Sequence, residues 1–211
     1  MIKQYSIDRG VRTLLANNGD DCVVFMEADD LEQFSWGLDG WFRVMGFNMT
    51  VEQPCYTFEE IEFCQTHPVY IGPGPDDYLM VRHPKWAIAK DTMSVHHLEN
   101  EKMVRGWMHA VGQGGISMTG GVPVFQNFYR SYCRYGVEHK LRDQVQSWGV
   151  RSLQQGMDRH FVEPSAATRA SFYWAFGVTP DEQIVLEHFY DGMEFEFKSP
   201  GEFEFQTPMP L

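Results

Sequence analysis

Three things are scarce in this 211-residue sequence: long apolar runs, cysteine and positive charge. No stretch stays apolar for the ~20 residues that cross a bilayer, and no signal-peptide pattern opens the chain, so it reads as a soluble polypeptide without a transmembrane segment. The four cysteines, Cys22, Cys55, Cys64 and Cys133, have no paired spacing, which argues against a disulfide framework and for reduced thiols in an intracellular protein. Cys64 and His67 have a ligand-like spacing, but without a second pair nearby a structural hairpin cysteine outweighs zinc. Lysine and arginine number 17 against 29 aspartates and glutamates, a net charge of −12 that by itself disfavours a nucleic-acid partner. Apolar residues, at 43% with 15% aromatics, are plentiful enough to exclude disorder, and the length suffices for a sizeable core.

The charge is uneven. Residues 1–78 hold 4 basic and 14 acidic side chains, residues 79–169 hold 12 and 7, and residues 170–211 hold 1 and 8. The basic middle also contains six of the eight histidines and is where phosphate contacts belong if the chain makes any, although solvated helix surfaces explain such a stretch equally well.

The most informative stretch is Asn17-Asn18-Gly19-Asp20-Asp21, set between the apolar runs 13–16 and 22–26. Asn-Gly between apolar runs marks a tight β-hairpin turn, whose primed geometries need residues that tolerate positive φ. Gly19 supplies a backbone without Cβ and Asn18 shapes the turn. Two adjacent carboxylates, Asp20 and Asp21, then sit at a hairpin tip. Carboxylate oxygens are hard ligands suited to Mg²⁺ or Mn²⁺, although Gly-Asp-Asp alone is also composed of ordinary turn residues.

Residues 1–9 read as the end of a helix broken by Gly10. Asp29-Asp30 can cap a helix in which Leu31, Phe34, Leu38, Phe42 and Met45 recur at spacings of three and four until Gly46. Residues 48–52 read as a strand, and residues 58–70 as a second hairpin turning near Gln65-Thr66-His67. The order hairpin, helix, strand, hairpin makes an antiparallel α+β unit. The Gly-Pro-rich loop 72–77 is the candidate boundary, with a short strand at 78–82 after it. Helical patterns then run over 94–112, 122–135, 138–160, 165–176 and 180–190, the last opened by the capping box Thr179-Pro180-Asp181-Glu182. Alternating Glu-Phe pairs around Lys198-Ser199-Pro200-Gly201 predict a small terminal hairpin. Trp107, Trp148 and Trp174 read as core residues, and His96-His97 as surface.

Asn18-Gly19-Asp20-Asp21-Cys22-Val23-Val24, Gly46-Phe47-Asn48-Met49-Thr50-Val51-Glu52 and Ile61-Glu62-Phe63-Cys64-Gln65 together resemble the second half of a viral RNA-dependent RNA polymerase of the tombusvirus-like group. Met80-Val81-Arg82-His83-Pro84, Lys90-Asp91, Gly120-Gly121-Val122-Pro123 and the run from Ala170 through Gln183 extend the resemblance over nearly the whole chain. It implies a partial right-hand fold: the later palm over 1–78, a mainly helical thumb over 79–193 and a tail over 194–211. It implies that Asp20 and Asp21 bind catalytic Mg²⁺ or Mn²⁺, Asp21 as the weaker accessory, and that Phe63, Cys64 and Gln65 form the primer grip. Arg82, Lys85 and Lys90 become candidate contacts for RNA or nucleotide phosphates. Arg130, Arg134, Lys140 and Arg142 are spread around two helices, some as candidates to face template or product duplex and most facing water. The implied partners are template and product RNA, nucleoside triphosphates and the N-terminal part of the polymerase, in a membrane-associated replication complex of the host cytoplasm.

The departures from the family pattern are informative. Only 18 residues precede Gly19, too few for the aspartate motif and the Ser-Gly…Thr…Asn motif expected before Gly-Asp-Asp, and no convincing permuted copy follows. The chain therefore reads as a fragment lacking fingers and half the palm, inactive in isolation. Residues 46–58 contain no lysine to protonate pyrophosphate; Arg43 is the nearest base and a poor proton donor, so that role stays unassigned. The alternative is a non-catalytic RNA-binding or interaction module derived from a polymerase.

Overall fold

The computed structural model describes residues 1–74, 76–94, 98–138 and 156–198. Helix α1 (Ile2–Arg9) leads into the hairpin of β1 (Leu14–Asn18) and β2 (Asp21–Phe25), followed by a 3₁₀ turn (Ala28–Asp30) and the short helices α2 (Leu31–Ser35) and α3 (Leu38–Val44). Next come β3 (Thr66–Tyr70), β4 (Tyr78–Arg82), α4 (Pro84–Asp91), α5 (Glu101–Thr119), α6 (Phe125–Tyr135), α7 (Ala166–Phe176) and α8 (Pro180–Asp191). The architecture is α+β, with two antiparallel hairpins, β1–β2 and β3–β4. The chain separates into two compact units between Thr66 and His67.

The first unit is organised by Tyr5, which is fully buried. Its ring lies edge-on to Phe34 and Trp41, and Val11, Leu38 and Phe42 complete the core, with Val24 and Met26 of the hairpin packed on it. Burying each of these large side chains contributes about 1.5–3 kcal/mol. Of the expected apolar stripe Phe34, Leu38 and Phe42 face this core, while Leu31 is half-buried and Met45 exposed, and the helix carrying the stripe is broken. Gly37 has φ 75°, and the Tyr5 hydroxyl lies 2.7 Å from the Phe34 carbonyl and 3.0 Å from that of Trp36, replacing partners that a continuous helix would give them.

Residues 48–52 enter no ladder among the described residues, and Val51 is exposed, so the expected strand does not form. The hairpin expected over 58–70 is also reorganised. Phe58–Glu60 is a 3₁₀ turn, the chain reverses at Cys64-Gln65, and β3 takes its strand partner from β4. The loop 72–77 is thereby the connection of a hairpin, with the Ile71 N–H donating to the Asp77 carbonyl at 2.9 Å.

The second unit is built on α5 and α6. Gly112 and Gly115 let the two backbones approach until Tyr129 and Cys133 lie where a Cβ would be. Val69, Val81, Ile88, Met108, Val122, Phe125, Phe128, Tyr132, Phe172 and Tyr190 share the resulting core. Helix α5 therefore runs through its glycines to Thr119, beyond the expected end at 112, and it starts at Glu101, where Asn100 caps it by accepting from the Met103 N–H at 3.0 Å. Helix α4, which periodicity did not reveal, has Pro84 in its first turn and His83 accepting from the Lys85 N–H at 3.2 Å. The capping box at Thr179 and Glu182 is formed. Trp107 packs edge-on against Tyr132, whereas Trp174 is 54% exposed rather than in the core. Of the helix expected over 138–160, residues 139–155 lie outside the described residues, and 157–160 are not helical. Trp148, Lys140, Arg142, His96, His97 and residues 199–211, which carry most of the expected terminal hairpin, also lie outside them.

Candidate active site

The β1–β2 hairpin pairs Asn17 with Cys22 and Asn18 with Asp21, leaving Gly19-Asp20 as a two-residue turn. Gly19 has φ 67° and Asp20 does not share that region, the pattern of a type II′ turn with glycine first. Asn17 closes the tip: its side-chain amide donates to the Gly19 carbonyl at 3.1 Å and the Asp21 carbonyl at 3.0 Å. The residue that clamps the turn is thus Asn17, which sequence reasoning passed over in favour of Asn18. Two asparagines before a turn glycine are a signal that either can make the side-chain bond.

Asp20 and Asp21 are exposed, and neither carries a salt bridge among the described residues. Burial, and after it the charge of Asp21, push the neighbouring Cys22 thiol upward. Two hard, unpaired carboxylates on a closed turn are of the ligand type that suits a divalent cation such as Mg²⁺ or Mn²⁺. Among the described residues no group of three or more His, Cys, Asp or Glu side chains gathers to hold a metal, so this pair is at most part of a coordination shell.

Asn18 has a different role. Its side-chain amide donates to the Cys64 sulfur at 3.3 Å, joining the carboxylate tip to the second turn of the unit. That turn is a two-residue reversal in which Phe63 and Thr66 exchange both backbone hydrogen bonds, at 2.9 and 3.0 Å. Cys64 (φ 53°) and Gln65 (φ 60°) are both left-handed, as a type I′ turn requires, and neither is glycine. The reversal therefore comes earlier than Gln65-Thr66-His67, because the tight turn takes Cys64 and Gln65 as its central pair. Asp20, Asp21, Asn18, Gly19, Phe63, Cys64 and Gln65 all belong to this first unit.

Arg82, Lys85 and Lys90 belong to the second unit and are exposed. The Lys85 ammonium lies 5.3 Å from the Trp86 ring centre. Arg82 and Lys90 act on Asp91, whose carboxyl is pushed up by burial, an effect opposed by the Tyr129 hydroxyl that donates to it and by these two cations. Burial and the charge of Asp91 raise Tyr129 well above the usual phenol range. Asp91 enters the sequence reading only within the Lys90-Asp91 resemblance and Tyr129 not at all, since an aspartate at a helix end gives no sign of its burial. Arg130 and Arg134 are engaged by Asp191, at 2.6 and 3.9 Å, and Arg43 by Asp39 at 2.6 Å.

Residues 1–198 match the family described as viral RNA dependent RNA polymerase. The chain is 43% identical over 208 residues to the RNA-directed RNA polymerase of Oat chlorotic stunt virus, covering 93% of this chain and 27% of that protein. It is 42% identical over 185 residues to that of Tobacco necrosis virus (86% and 25%) and 38% identical over 192 residues to that of Turnip crinkle virus (88% and 24%). It thus spans about a quarter of the length of these curated relatives. No solved structure matches. With the match extending from the carboxylate hairpin through the last described helix, the chain belongs to the viral RNA-dependent RNA polymerase family.

Proposed function

We propose that this chain is the palm–thumb part of a viral RNA-directed RNA polymerase, with residues 1–78 as the later palm and 79–193 as the thumb. The observation that carries the reading is the pair of unpaired carboxylates, Asp20 and Asp21, on a turn closed by Asn17, in a sequence that aligns along its length with polymerases. Asp20 is the principal ligand for Mg²⁺ or Mn²⁺ and Asp21 its accessory. Divalent cations bound here supply charge stabilisation for the attacking 3′-hydroxyl and the departing pyrophosphate. The chain's own part is to hold the two carboxylates fixed at the tip. The turn Phe63-Cys64-Gln65 bears on the primer strand, and Arg82, Lys85 and Lys90 contribute positive charge toward RNA or nucleotide phosphates.

A coordination shell of two carboxylates needs further ligands, which an aspartate from the part of the polymerase outside this chain supplies. Template and product RNA and nucleoside triphosphates are the partners. The setting is a membrane-associated replication complex in the host cytoplasm; no helix among the described residues is long and apolar enough to cross a membrane. The test is Asp20→Asn in the full-length polymerase carrying this chain. RNA synthesis is abolished while the thermal midpoint is retained; synthesis at the normal rate overturns the assignment. The isolated 211 residues incorporate no nucleotide on a primed template, and template-dependent incorporation by them overturns the claim that the site is incomplete.

A further inference from the structure

The Asn18–Cys64 contact and the strain at Cys64 point to a role beyond turn formation. A non-glycine residue in the left-handed region is strained by its Cβ, a cost that glycine at the same position avoids. Position 64 nevertheless carries a thiol, and that thiol is what receives the Asn18 amide at 3.3 Å. Asn18 is not needed to close its own turn, since Asn17 makes both side-chain bonds to the tip carbonyls. It is paired with Asp21 in the ladder and adjoins Gly19-Asp20, so the hydrogen bond runs from the carboxylate tip itself. Free of any duty in its own hairpin, the Asn18 side chain joins two exposed loops that lie 46 residues apart in sequence.

We infer that Asn18 and Cys64 are a positioning pair that sets the register of the Asp20-Asp21 tip against the Cys64-Gln65 turn. The inference rests on the polymerase reading above. In that reading Asp20 and Asp21 would hold the cations and the turn would hold the primer end, so the separation of tip and turn would set where the primer end lies relative to the two carboxylates. Loosening such a separation lowers the rate of the chemical step more than it weakens substrate binding.

The experiment is a double-mutant cycle in the full-length polymerase carrying this chain, with primer extension read as kcat and KM for the nucleotide. Asn18→Ala and Cys64→Ala each lower kcat about tenfold, with KM held within about twofold, and the double variant is no slower than the slower single one. Cys64→Ser recovers most of the Cys64→Ala loss, because its hydroxyl accepts the same N–H. Cys64→Gly relieves the φ strain and raises the thermal midpoint, yet keeps the kcat defect. Losses that multiply in the double variant, or a Cys64→Gly enzyme with the parental kcat, overturn the inference by showing two independent residues or a turn that only needs to be a turn. Asp20→Asn, run alongside, keeps the two ideas apart. Parental activity in that variant removes the assignment of the Asp20-Asp21 tip as the metal site, on which the inference rests, whereas an inactive Asp20→Asn with a multiplicative cycle removes the positioning pair alone.

Discussion

Val124 in the second unit and Cys64 in the first face the same backbone problem and are held by different means. Val124 has φ 68°, and the Phe125 N–H closes onto the Pro123 carbonyl at 2.7 Å, the strained γ-turn arrangement at a β-branched residue. It is fully buried, and its N–H donates to Glu187 at 3.1 Å. Glu187 in turn takes two hydrogen bonds from Arg169, at 3.0 and 2.9 Å. Cys64 is only half-buried, and its turn is tied to the neighbouring hairpin by the side-chain amide of Asn18. Strain in the second unit is enclosed by a buried charged network and core packing. In the first it sits at exposed turns, where the side chains remain available for chemistry.

The largest effect should come from opening the enclosed network. Glu187→Ala strips Arg169, whose side chain is only 12% exposed, of its buried partner and leaves the Val124 N–H without an acceptor. Breaking a buried pair from one side costs about 3–5 kcal/mol. Urea unfolding of the chain should show it as a drop in the midpoint. Glu163, which also reaches Arg169 at 3.3 Å but is 80% exposed, is the control: its removal should cost no more than about 1 kcal/mol. Equal losses from the two variants would erase the distinction between enclosed and exposed strain.

Two glycines sharpen the same contrast at smaller scale. A Cβ on Gly115 would lie 2.1 Å from the Tyr129 ring, and that ring is pinned at its far end by the bond to Asp91. Gly115→Ala should therefore destabilise by about 1–3 kcal/mol through overpacking, even though alanine is the better helix former. A Cβ on Gly19 meets nothing within 4 Å, so only its φ of 67° resists substitution. Gly19→Ala should cost about 1–2 kcal/mol at most. Thermal melts of both variants check the order, and a larger loss at Gly19 would reverse the account of where packing is tight.

The same contrast explains which features could be read from the sequence. The Gly-Asp-Asp turn, the Phe34-Leu38-Phe42 stripe and the Thr179 capping box are local: their residues act within a turn or two of themselves. Features decided by distant partners were not legible. Gly112 and Gly115 look like helix breakers until Tyr129 and Cys133 occupy the space they leave. The break at Gly37 depends on a hydroxyl from Tyr5, and the reversal at Cys64-Gln65 uses residue types that turn statistics do not favour. Residues 48–52 show the converse, a strand-like pattern that finds no partner strand among the described residues. At the candidate site the carboxylates were legible and their fixings were not. Asn17 and Asn18 are the same residue type in adjacent positions, and only the geometry separates the clamp from the tether.

The smallest effect tests whether an exposed feature of the second unit behaves like the exposed turns of the first. Thr179 caps α8, accepting from the Glu182 N–H at 3.4 Å, while the Glu182 carboxylate accepts from the Thr179 hydroxyl at 2.7 Å and backbone N–H at 2.8 Å. These bonds, the hydroxyl first, hold the Glu182 carboxyl below its usual range. A folded-state value below the unfolded one means the stabilisation is present above the ordinary glutamate range and is lost as pH falls through that range to the lowered value. Thr179→Ala should cost about 1 kcal/mol near neutral pH, the usual loss for a cap. The gap between parent and variant should narrow on acidification, since the protonated carboxyl no longer favours the capped form. Urea midpoints measured for both proteins at neutral and acid pH decide the matter. A gap that stays constant with pH would mean that the threonine hydroxyl caps α8 alone and that Glu182 adds nothing to it.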